Sequence, residues 1–464
     1  MPRIPSLLSA YFSQHPSKPI VIAYSGGVDS QVLLHALIAL KSANSINNPL
    51  SVCHVNHGLS DNASLWQNKA EQLCHLHDIP LIICNVNVKK QRQKSTEALA
   101  RAARYQAFKQ EVVQPSLIVT GHHSDDQAET FLLALKRGAG LQGLSAMMVE
   151  TPLGQHTLVR PLLDVSRQEI IDYAHDHQLT WIEDESNSEI CYDRNFLRHQ
   201  VIPVLKERWP SIVATINRSA QHCREQQGLV NELAEIDLLS CVTSKTGLLI
   251  APLKALSTAR FNNAIRLFLS KQNCLMPTVE QLNQLHSQLS AQSDKSPEVK
   301  VGEHWFRRFK GTIYLTKSFA DLSAWQYQLS LLASDNIPKN CVVDLPDDLG
   351  KLEFYLTENQ QKRLDEVHCH FEGCMQAPSE NQQVTIRFSH ENPRCLPDFR
   401  QHHRSLKKIL QELAIAPWQR KRIPFVYYDD QLVAALGYFV CKEYLPQPDQ
   451  KHLRVIWCYK GNAK

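Results

Sequence analysis

A Ser/Gly-rich segment near the start of the chain, Ser25-Gly26-Gly27-Val28-Asp29-Ser30, has residue types that bind phosphate. Its two glycines lack side chains, so backbone N–H groups can approach a ligand closely. Asp29 would repel a phosphate by itself, but it suits a site in which Mg²⁺ bridges the carboxylate and the phosphate. The spacing differs from the common nucleotide signatures G-x-x-x-x-G-K-[ST] and G-x-G-x-x-G. The segment predicts a phosphate or pyrophosphate site, with an ordinary turn as the alternative.

A second segment crowds two histidines, two aspartates and a glutamate together: Gly121-His122-His123-Ser124-Asp125-Asp126-Gln127-Ala128-Glu129-Thr130. Acidic residues at a helix start favour the helix dipole, which explains part of this composition. The dipole does not explain the paired histidines. Neither does it explain Glu129, which lies one helical turn above Asp126. We interpret the segment as a second part of the same site.

The apolar pattern predicts the strands and helices that must position both segments. Apolar, β-branched runs predict strands at 20–24, 50–55, 81–86 and 116–120. Helical spacing predicts helices at 32–40, 64–77, 96–113 and 125–136. This alternation predicts an α/β fold, a parallel sheet with helices on both faces, whose ligands bind beyond the strand carboxyl ends. Both segments would lie at that edge, where Asp29 and Asp126 could share one Mg²⁺.

The rest of the chain divides by composition into three parts after a catalytic domain at 1–217. Residues 218–317 are predicted to be a mainly helical domain that closes with short strands at 299–301, 305–309 and 312–315. Residues 318–383 are polar and contain Pro338, Pro346 and Pro378, which predicts an irregular linker. Residues 384–464 are predicted to be a small α+β domain. It would contain a helix at Leu406–Leu413 and a hairpin of Phe425–Tyr428 with Val433–Val440.

Charge is concentrated at the end of the chain. The formal net charge is +4 over 464 residues, yet Thr385–Lys464 contains 14 Lys and Arg against 7 Asp and Glu. A basic terminal segment suggests an acidic macromolecular partner, and a solvated basic face is the equally weighted alternative. The basic residues Lys407, Lys408, Arg420, Lys421 and Arg422 flank Trp418, which is as readily a core residue as a stacking surface.

The cysteine pattern and the apolar runs indicate the cellular compartment of the protein. The 13 cysteines form no C-x-x-C pair, which is typical of reduced thiols in the cytosol. The cluster His368-Cys369-His370 with Cys374 matches no standard zinc spacing. The first residues lack a charged-then-apolar leader, and no apolar run approaches the length of a membrane span. We expect a cytoplasmic protein with no membrane partner.

Taken together, the two segments resemble the PP-loop ATP-pyrophosphatase superfamily, with its adenine nucleotide alpha-hydrolase-like fold. Within it, the chain resembles the tRNA(Ile)-lysidine synthetase family. The similarity continues through His54–Leu59, Glu97, Ala100, Arg101, Arg104, Tyr105, Arg137–Leu144, Arg160–Leu163, Asp184, Ser186, Asn187, Arg194, Asn195 and Arg198. It resumes in the tail at Leu406–Lys408, Pro417–Arg420, Ile423 and Pro424. It is weak across 318–383, and Ser60 replaces an expected basic residue.

The resemblance implies a C–N bond-forming ligase that uses ATP and Mg²⁺. Such enzymes convert the wobble cytidine of the isoleucine tRNA with anticodon CAU into lysidine, which changes the codon read from AUG to AUA. The cytidine O2 first attacks the ATP α-phosphate, which releases pyrophosphate and leaves an adenylate. The lysine amine then displaces AMP at C2. The implied partners are this tRNA, lysine and ATP, and a homodimer is left open.

The resemblance also implies roles for individual residues. Ser25, Gly26, Gly27, Val28 and Ser30 would bind the pyrophosphate, and Asp29 and Asp126 would hold Mg²⁺. His54 and Asn56 would lie at the adenosine, and His122 and His123 would contact phosphate or position the cytidine. Asp126 would also touch the lysine amine, and Glu129 would select this cationic substrate by charge. Arg104, Arg194 and Arg198 would face phosphate or tRNA, although Arg101 and Arg104 also suit exposed ion pairs. His57 would only fix its turn.

Two alternatives compete with this interpretation. A tRNA thiolation enzyme of the same superfamily would activate a base similarly but deliver sulfur. Such chemistry usually needs a reactive cysteine pair, whereas Cys53, Cys74 and Cys84 fall on predicted strand or helix faces and suit a core. A non-catalytic tRNA-binding protein with a vestigial nucleotide fold is the second alternative, and intact Asp29, Asp126 and Glu129 argue against it.

Overall fold

The computed structural model of the chain describes residues 3–58, 62–86, 96–183, 189–290, 298–329, 341–357, 369–379, 382–447 and 450–458. The chain divides into two compact units, Met1–Glu232 and Leu233–Lys464. The helix Ile212–Leu239 continues without a break past residue 217, so the domain boundary predicted there falls inside a helix. Within the described ranges, no helix combines the length and the apolar character needed to span a membrane.

The first unit is built around a six-stranded sheet. Its strands are β1 (Ile20–Tyr24), β2 (Leu50–Asn56), β3 (Leu81–Asn85), β4 (Leu117–Val119), β5 (Glu150–Leu153) and β6 (His156–Val159). Its helices are α1 (Arg3–Phe12), α2 (Val28–Ser42), α3 (Ala63–Leu76), α4 (Thr96–Glu111), α5 (Ser124–Lys136), α6 (Leu141–Leu144), α7 (Arg167–Asp176), α8 (Asp193–Phe196), α9 (Ile202–Arg208) and the first part of α10 (Ile212–Leu239), which ends after the unit boundary at Glu232. A π-helical turn covers Leu197–Val201, between α8 and α9. All four strands and four helices predicted up to residue 136 are confirmed.

The strands lie in the order β3-β2-β1-β4-β6-β5, and only β5 pairs antiparallel. Side chains of β1 alternate between two apolar clusters. Ile20 and Ile22 pack in a cluster with α1, α2 and α7, whereas Val21 packs in a second cluster that includes Phe108 of α4. Both faces of the sheet are therefore covered by helices, as predicted. After β1 the chain adds β2 and β3 on one side of the sheet, and β4 then lies on the other side of β1. Where the strand order changes side in this way, a ligand-binding crevice forms at the carboxyl ends of the strands.

The described residues of the second unit form three sheets of four or five strands and a two-stranded pair. Its strands are β7 (Val242–Ser244), β8 (Gly247–Leu249), β9 (Glu298–Val301), β10 (His304–Phe309), β11 (Thr312–Lys317), β12 (Gln326–Leu329), β13 (Cys341–Asp344), β14 (Lys351–Thr357), β15 (Cys369–Gln376), β16 (Val384–Arg387), β17 (Arg394–Cys395), β18 (Arg404–Ser405), β19 (Phe425–Tyr428), β20 (Gln431–Ala435), β21 (Phe439–Val440) and β22 (His452–Cys458). Its helices are α11 (Ile250–Ala255), α12 (Thr258–Lys271), α13 (Val279–Leu289), α14 (Leu406–Glu412) and α15 (Pro417–Arg420), with a 3₁₀ turn at Lys442–Tyr444.

The second unit departs from the sequence prediction in two places. The segment 318–383, predicted to be an irregular linker, contains β12, β13, β14 and β15. These strands pair with partners beyond residue 383, since β12 adds to β16, while β14 and β15 flank β22. The predicted strand Val433–Val440 is two strands, β20 and β21, because the backbone turns at Gly437 with a φ of +86°. The predicted strands β9, β10 and β11 are confirmed.

Candidate active site

The first segment forms the turn between β1 and α2. The backbone N–H of Ser25 donates to Oγ of Ser30 at 3.2 Å, and that hydroxyl donates to the Gly27 carbonyl at 2.9 Å. Gly26 has a φ of +86°, and a Cβ there would lie 2.9 Å from Cδ1 of Ile182. Because α2 begins directly after this turn, its unpaired N-terminal N–H groups favour an anion beside the loop.

The second segment touches the first through Gly121. A Cβ on Gly121 would lie 2.8 Å from both the carbonyl carbon and the oxygen of Asp29. Such a contact is closer than real Cβ atoms adopt, and backbone atoms cannot move aside as a flexible side chain can. Glycine at this position therefore allows the backbone of one segment to pack directly on the backbone of the other.

Replacing Gly121 with alanine should push the two segments apart and weaken ATP binding. We expect the overpacked variant to lose about 1–3 kcal/mol of unfolding free energy. Gly228 is a matched control in α10, because a Cβ there meets nothing within 4 Å. Gly228→Ala should instead add roughly 0.5–1 kcal/mol. Thermal denaturation and calorimetric ATP titration measure both effects, and unchanged ATP affinity in Gly121→Ala would contradict the packing argument.

Asp29, His123 and Asp126 meet where the two segments touch. Nε2 of His123 lies 3.7 Å from Oδ1 of Asp29 and 3.5 Å from Oδ2 of Asp126. Oδ2 of Asp126 also accepts the backbone N–H of His123 at 3.1 Å. Among the residues that the structure describes, neither ring nitrogen of His123 has a hydrogen-bond partner, although the residue is fully buried. The structure therefore brings these three predicted site residues together.

The two carboxylates are in different electrostatic settings. Burial raises the pKa of Asp29, and the charges of His123 and Arg167 only partly oppose this. Burial would also raise the pKa of Asp126, but the charges of His123 and Arg194 outweigh it and hold that pKa well below its ordinary value. Asp126 is therefore a fixed negative charge at neutral pH, next to a second carboxylate that is harder to ionise.

Glu129 holds two arginines rather than facing the cavity. Its carboxylate is 1% exposed and accepts from Nε of Arg194 at 2.6 Å and from Nε of Arg198 at 2.7 Å. Both guanidiniums also reach Oδ1 of Asp126, at 3.2 Å and 3.3 Å. The sequence predicts that Glu129 selects a cationic substrate, whereas in the structure its charge is engaged by these arginines. The geometry suits a residue that positions them.

A cavity of about 670 Å³ lies at the carboxyl edge of the sheet. Pockets of this size hold small-molecule ligands. The predicted site residues that line it are Ser25, Asp29, Ser30, His54, Asn56, Arg104, His122, Asp126, Arg194 and Arg198. Those absent from its wall are Gly26, Gly27, Val28, His123 and Glu129. The two segments thus contribute side chains to one cavity.

The histidines on the cavity wall are neutral at neutral pH. Nδ1 of His122 lies 2.8 Å from Oγ1 of Thr120, and burial lowers the pKa of His122 to about 3. Nδ1 of His54 lies 3.1 Å from the Tyr24 carbonyl, which requires that nitrogen to donate and leaves Nε2 as an acceptor. Burial also lowers the pKa of His54. These side chains can exchange hydrogen bonds with a ligand but supply no charge to it.

Asn56 holds the loop that follows β2. Its Oδ1 accepts the backbone N–H of Gly58 at 2.9 Å, and its Nδ2 donates to Oε1 of Gln67 at 3.3 Å. The resemblance implies that Asn56 lies at the adenosine and that His57 only fixes the turn. In the structure it is the amide of Asn56 that fixes this turn.

Two cationic residues near the site, Arg167 and Lys206, were not predicted from the sequence. Nη1 of Arg167 lies 3.7 Å from Oδ1 of Asp29, and Nζ of Lys206 lies 2.5 Å from Oδ1 of Asp125. Oδ2 of Asp125 accepts the backbone N–H of Arg167 at 3.1 Å. Sequence reasoning missed both because each is far along the chain from its partner and belongs to no local motif.

The donor set partly fits a Mg²⁺ ion. Mg²⁺ is usually held by one or two carboxylates together with waters and substrate phosphates. Oδ1 of Asp29 is buried with no hydrogen-bond partner in the described chain, and Asp126 lies across His123 from it. No group of three or more metal-binding side chains occurs among the described residues. Two carboxylates completed by phosphate oxygens are therefore the arrangement that these residues can offer.

Several residues named from the sequence lie outside the described residues. These are Leu59, Ser60, Asp184, Ser186, Asn187, Pro338 and His368. The side chains of Glu97, Cys369 and His370 likewise fall outside the described part of the chain. The contacts predicted for them remain predictions.

The basic tail separates into packed and exposed residues. The Trp418 ring packs against Phe309 at 6.1 Å and Tyr314 at 5.9 Å between centroids, which gives it a structural role. Arg422 pairs with Asp347. Lys407 and Lys408 are exposed at the start of α14 and are available to an anionic partner.

The sheet, the Ser/Gly loop and the cavity define a PP-loop protein, and residues 3–205 match the family model of the PP-loop domain. Residues 248–314 match the TilS substrate binding domain, and residues 384–457 match the TilS substrate C-terminal domain.

The chain is also similar over most of its length to curated proteins. It is 41% identical to the tRNA(Ile)-lysidine synthase of Serratia proteamaculans, covering 94% of this chain and 95% of the relative. It is 39% identical to the tRNA(Ile)-lysidine synthase of Edwardsiella ictaluri, covering 91% of each. The chain belongs to the tRNA(Ile)-lysidine synthase family and is an ATP-dependent ligase.

Proposed function

We propose that the protein joins lysine to C2 of the wobble cytidine in the CAU anticodon of tRNA(Ile), forming lysidine. The observation that carries this proposal is the cavity where the Ser25–Ser30 loop meets Asp126, Arg194 and Arg198. An acidic pair beside an anion-binding loop and two guanidiniums suits phosphate transfer rather than simple RNA binding. The change from AUG to AUA decoding follows from the base that is formed.

The first step would be adenylation of the cytidine. The cytidine O2 attacks the ATP α-phosphate, the bond to the bridging oxygen breaks, and pyrophosphate leaves. The Ser25–Ser30 loop and the start of α2 would bind the pyrophosphate, and Arg104, Arg194 and Arg198 would offset negative charge that develops on the phosphates. When bound to Asp29 and Asp126, Mg²⁺ would supply additional positive charge against those phosphates.

The second step would be attack by the lysine amine on C2. The C2–N bond forms as the bond from C2 to O2 breaks, and AMP leaves with that oxygen. The ionised Asp126 would attract the cationic amine into the cavity before it loses its proton. Holding three substrates in one cavity turns both steps into reactions between neighbours, which is a proximity effect.

The reaction can be tested directly with radiolabelled lysine. Label should enter a tRNA(Ile) transcript with the CAU anticodon only when ATP and Mg²⁺ are present, and a transcript with the wobble cytidine replaced should stay unlabelled. ATP consumption without labelling would point to sulfur delivery, and a sulfur-transfer assay would follow. RNA binding without ATP consumption would point to a binding protein.

One structural detail bears on the sulfur-transfer alternative. Sγ of Cys53 and Sγ of Cys84 lie 3.4 Å apart on β2 and β3, and Cys53 lines the cavity. The hydrogen bond with Cys84 and burial raise the pKa of the Cys53 thiol. The same hydrogen bond lowers the pKa of the Cys84 thiol, but Cys84 is buried and is not among the residues that line the cavity. A thiol held protonated is a poor nucleophile, so the cavity-lining Cys53 is poorly suited to carry sulfur.

The exposed lysines of α14 give a test of the tail as an RNA contact. Changing Lys407 and Lys408 together to glutamine should weaken tRNA binding and reduce the salt slope of the affinity by about 1 per lysine, because each phosphate contact releases counterions. Changing both to arginine keeps the charge and should keep the slope. Filter binding over a range of salt measures both variants, and an unchanged slope in the glutamine variant would count against the contact.

A further inference from the structure

Asp125, the first carboxylate of the acidic pair at the start of α5, lies outside the cavity wall. It is buried but is not among the residues that line the cavity, whereas its neighbour Asp126 is. Its Oδ1 accepts from Nζ of Lys206 at 2.5 Å, and its Oδ2 accepts the backbone N–H of Arg167 at 3.1 Å. Asp125 therefore joins the start of α5 to both α7 and α9, and neither step of the proposed reaction uses its carboxylate.

Lys206 belongs to the same helical segment as Arg198. α8, the π-helical turn Leu197–Val201 and α9 follow one another without a gap from Asp193 to Arg208. A π turn contains one residue more than an α turn, so the eight steps from Arg198 to Lys206 correspond to about seven steps of a regular α-helix. Residues seven apart lie on the same face of a helix. The π turn thereby places Lys206 on the face of Arg198, and both residues contact α5.

Ion pairs tie this segment to α5 at both ends. Near its start, Arg194 and Arg198 contact Glu129 at 2.6 Å and 2.7 Å. At its far end, Lys206 contacts Asp125. The helices α8 and α9 contain only four and seven residues, and helices so short are not stable by themselves. Tertiary contacts such as these ion pairs therefore fix where the segment lies.

The pair of Asp125 and Lys206 is a strong anchor because its carboxylate is buried. The side chain of Asp125 is 10% exposed, and that of Lys206 is 43% exposed. Burial would raise the pKa of Asp125, but the hydrogen bonds from Lys206 and from the Arg167 backbone outweigh it and hold that pKa below its ordinary value. The carboxylate is therefore ionised at neutral pH, and losing the ammonium would leave a buried charge without its cationic partner.

We propose that Asp125 and Lys206 are positioning residues, whose ion pair outside the cavity holds Arg198 where its guanidinium can reach the phosphates of ATP. This inference rests on the proposed function, in which Arg198 offsets charge on those phosphates. Arg198 lines the cavity together with Ser25 and Ser30, the two ends of the anion-binding loop. A shift of the helical segment would change the distance between the guanidinium and that loop.

The test uses the full chain and measures ATP affinity by calorimetry, without RNA or lysine. Lys206→Met removes the charge and keeps an unbranched side chain, whereas Lys206→Arg keeps the ion pair. Lys206→Met is also made together with Arg198→Gln, which removes the guanidinium through which Lys206 is inferred to act. Arg208→Met is the control, because Arg208 is exposed on α9, carries the same charge and is not among the residues that line the cavity.

The inference predicts a loss of affinity that depends on Arg198. Lys206→Met should weaken ATP binding on the order of 10-fold, because a displaced guanidinium loses charge-assisted hydrogen bonds to phosphate. The same change should cause no further loss when Arg198 is already glutamine. Lys206→Arg and Arg208→Met should bind ATP with near-native affinity. If Lys206→Met alone fails to fold, its combination with Asp125→Asn takes its place, since that pair leaves no uncompensated charge.

Several results would overturn the inference. Native ATP affinity in folded Lys206→Met would do so, and so would an equal loss in Arg208→Met. A loss of the same size with and without Arg198→Gln would show a purely structural role. Native affinity in Arg198→Gln alone would show that this arginine does not contact the phosphates. Absence of lysine incorporation by the native enzyme would refute the proposed function without altering these affinities, so the two proposals can fail separately.

Discussion

Replacing Asp126 or Asp29 with alanine is expected to lower lysine incorporation on the order of 10²- to 10³-fold. Each change removes a carboxylate suited to hold Mg²⁺. The Asp126 change also removes one of the two carboxylates that Arg194 and Arg198 contact among the described residues. Pyrophosphate release from ATP in the presence of tRNA measures the adenylation step, and filter binding shows whether tRNA binding is retained, as we expect.

Asp172→Ala is a suitable control for these variants. Asp172 is exposed on α7, and its carboxylate accepts a hydrogen bond from Gln168 away from the cavity. Removing it changes the net charge by the same amount and should leave both activity and tRNA binding near the native level. Near-normal turnover in Asp29→Ala or Asp126→Ala would refute a metal site shared by the two carboxylates.

Replacing Glu129 with glutamine is expected to reduce both stability and adenylation. The neutral amide would face two guanidiniums whose side chains are only 16% and 24% exposed. Breaking a buried ion pair from one side costs about 3–5 kcal/mol, and we expect the lower end because both arginines retain some solvent and Asp126. Urea denaturation measures the stability, and the KM for ATP measured on the folded variant reports the displaced arginines.

An exposed ion pair on the same helix provides the comparison. Nζ of Lys136, at the end of α5, lies 2.7 Å from Asp193, and both side chains are more than half exposed. Asp193→Asn should cost no more than about 1 kcal/mol and should leave the KM for ATP unchanged. Equal stability losses in Asp193→Asn and Glu129→Gln, or an unaltered KM in Glu129→Gln, would argue against a positioning role.

The sheet of the first unit could be predicted because its strands are buried on both faces. Runs such as Ile20–Tyr24 are then apolar at almost every position, which is a strong local signal. The two segments that meet at the cavity follow β1 and β4, and parallel topology alone places them at one edge. These parts of the site depend on local sequence and one rule of topology.

The pairing of Glu129 with Arg194 and Arg198 depends instead on how α8 and the following turn pack on α5, which no local pattern encodes. The same applies to 318–383, where β14 and β15 both pair with β22 from the end of the chain, while β14 also pairs with the neighbouring β13. A strand whose partner is so distant has weak local signals, and its prolines and polar residues favour a linker. Tertiary pairing decided the structure of these segments.

The direct packing of Gly121 on the backbone of Asp29 has a consequence for exchanging parts between related proteins. The Ser25–Ser30 loop cannot be grafted as an independent cassette, since its backbone path is shaped by a residue almost a hundred positions later. A chimaera that takes this loop from another PP-loop protein should accept it only when the stretch around Gly121 comes from the same donor. The two stretches must therefore be exchanged together.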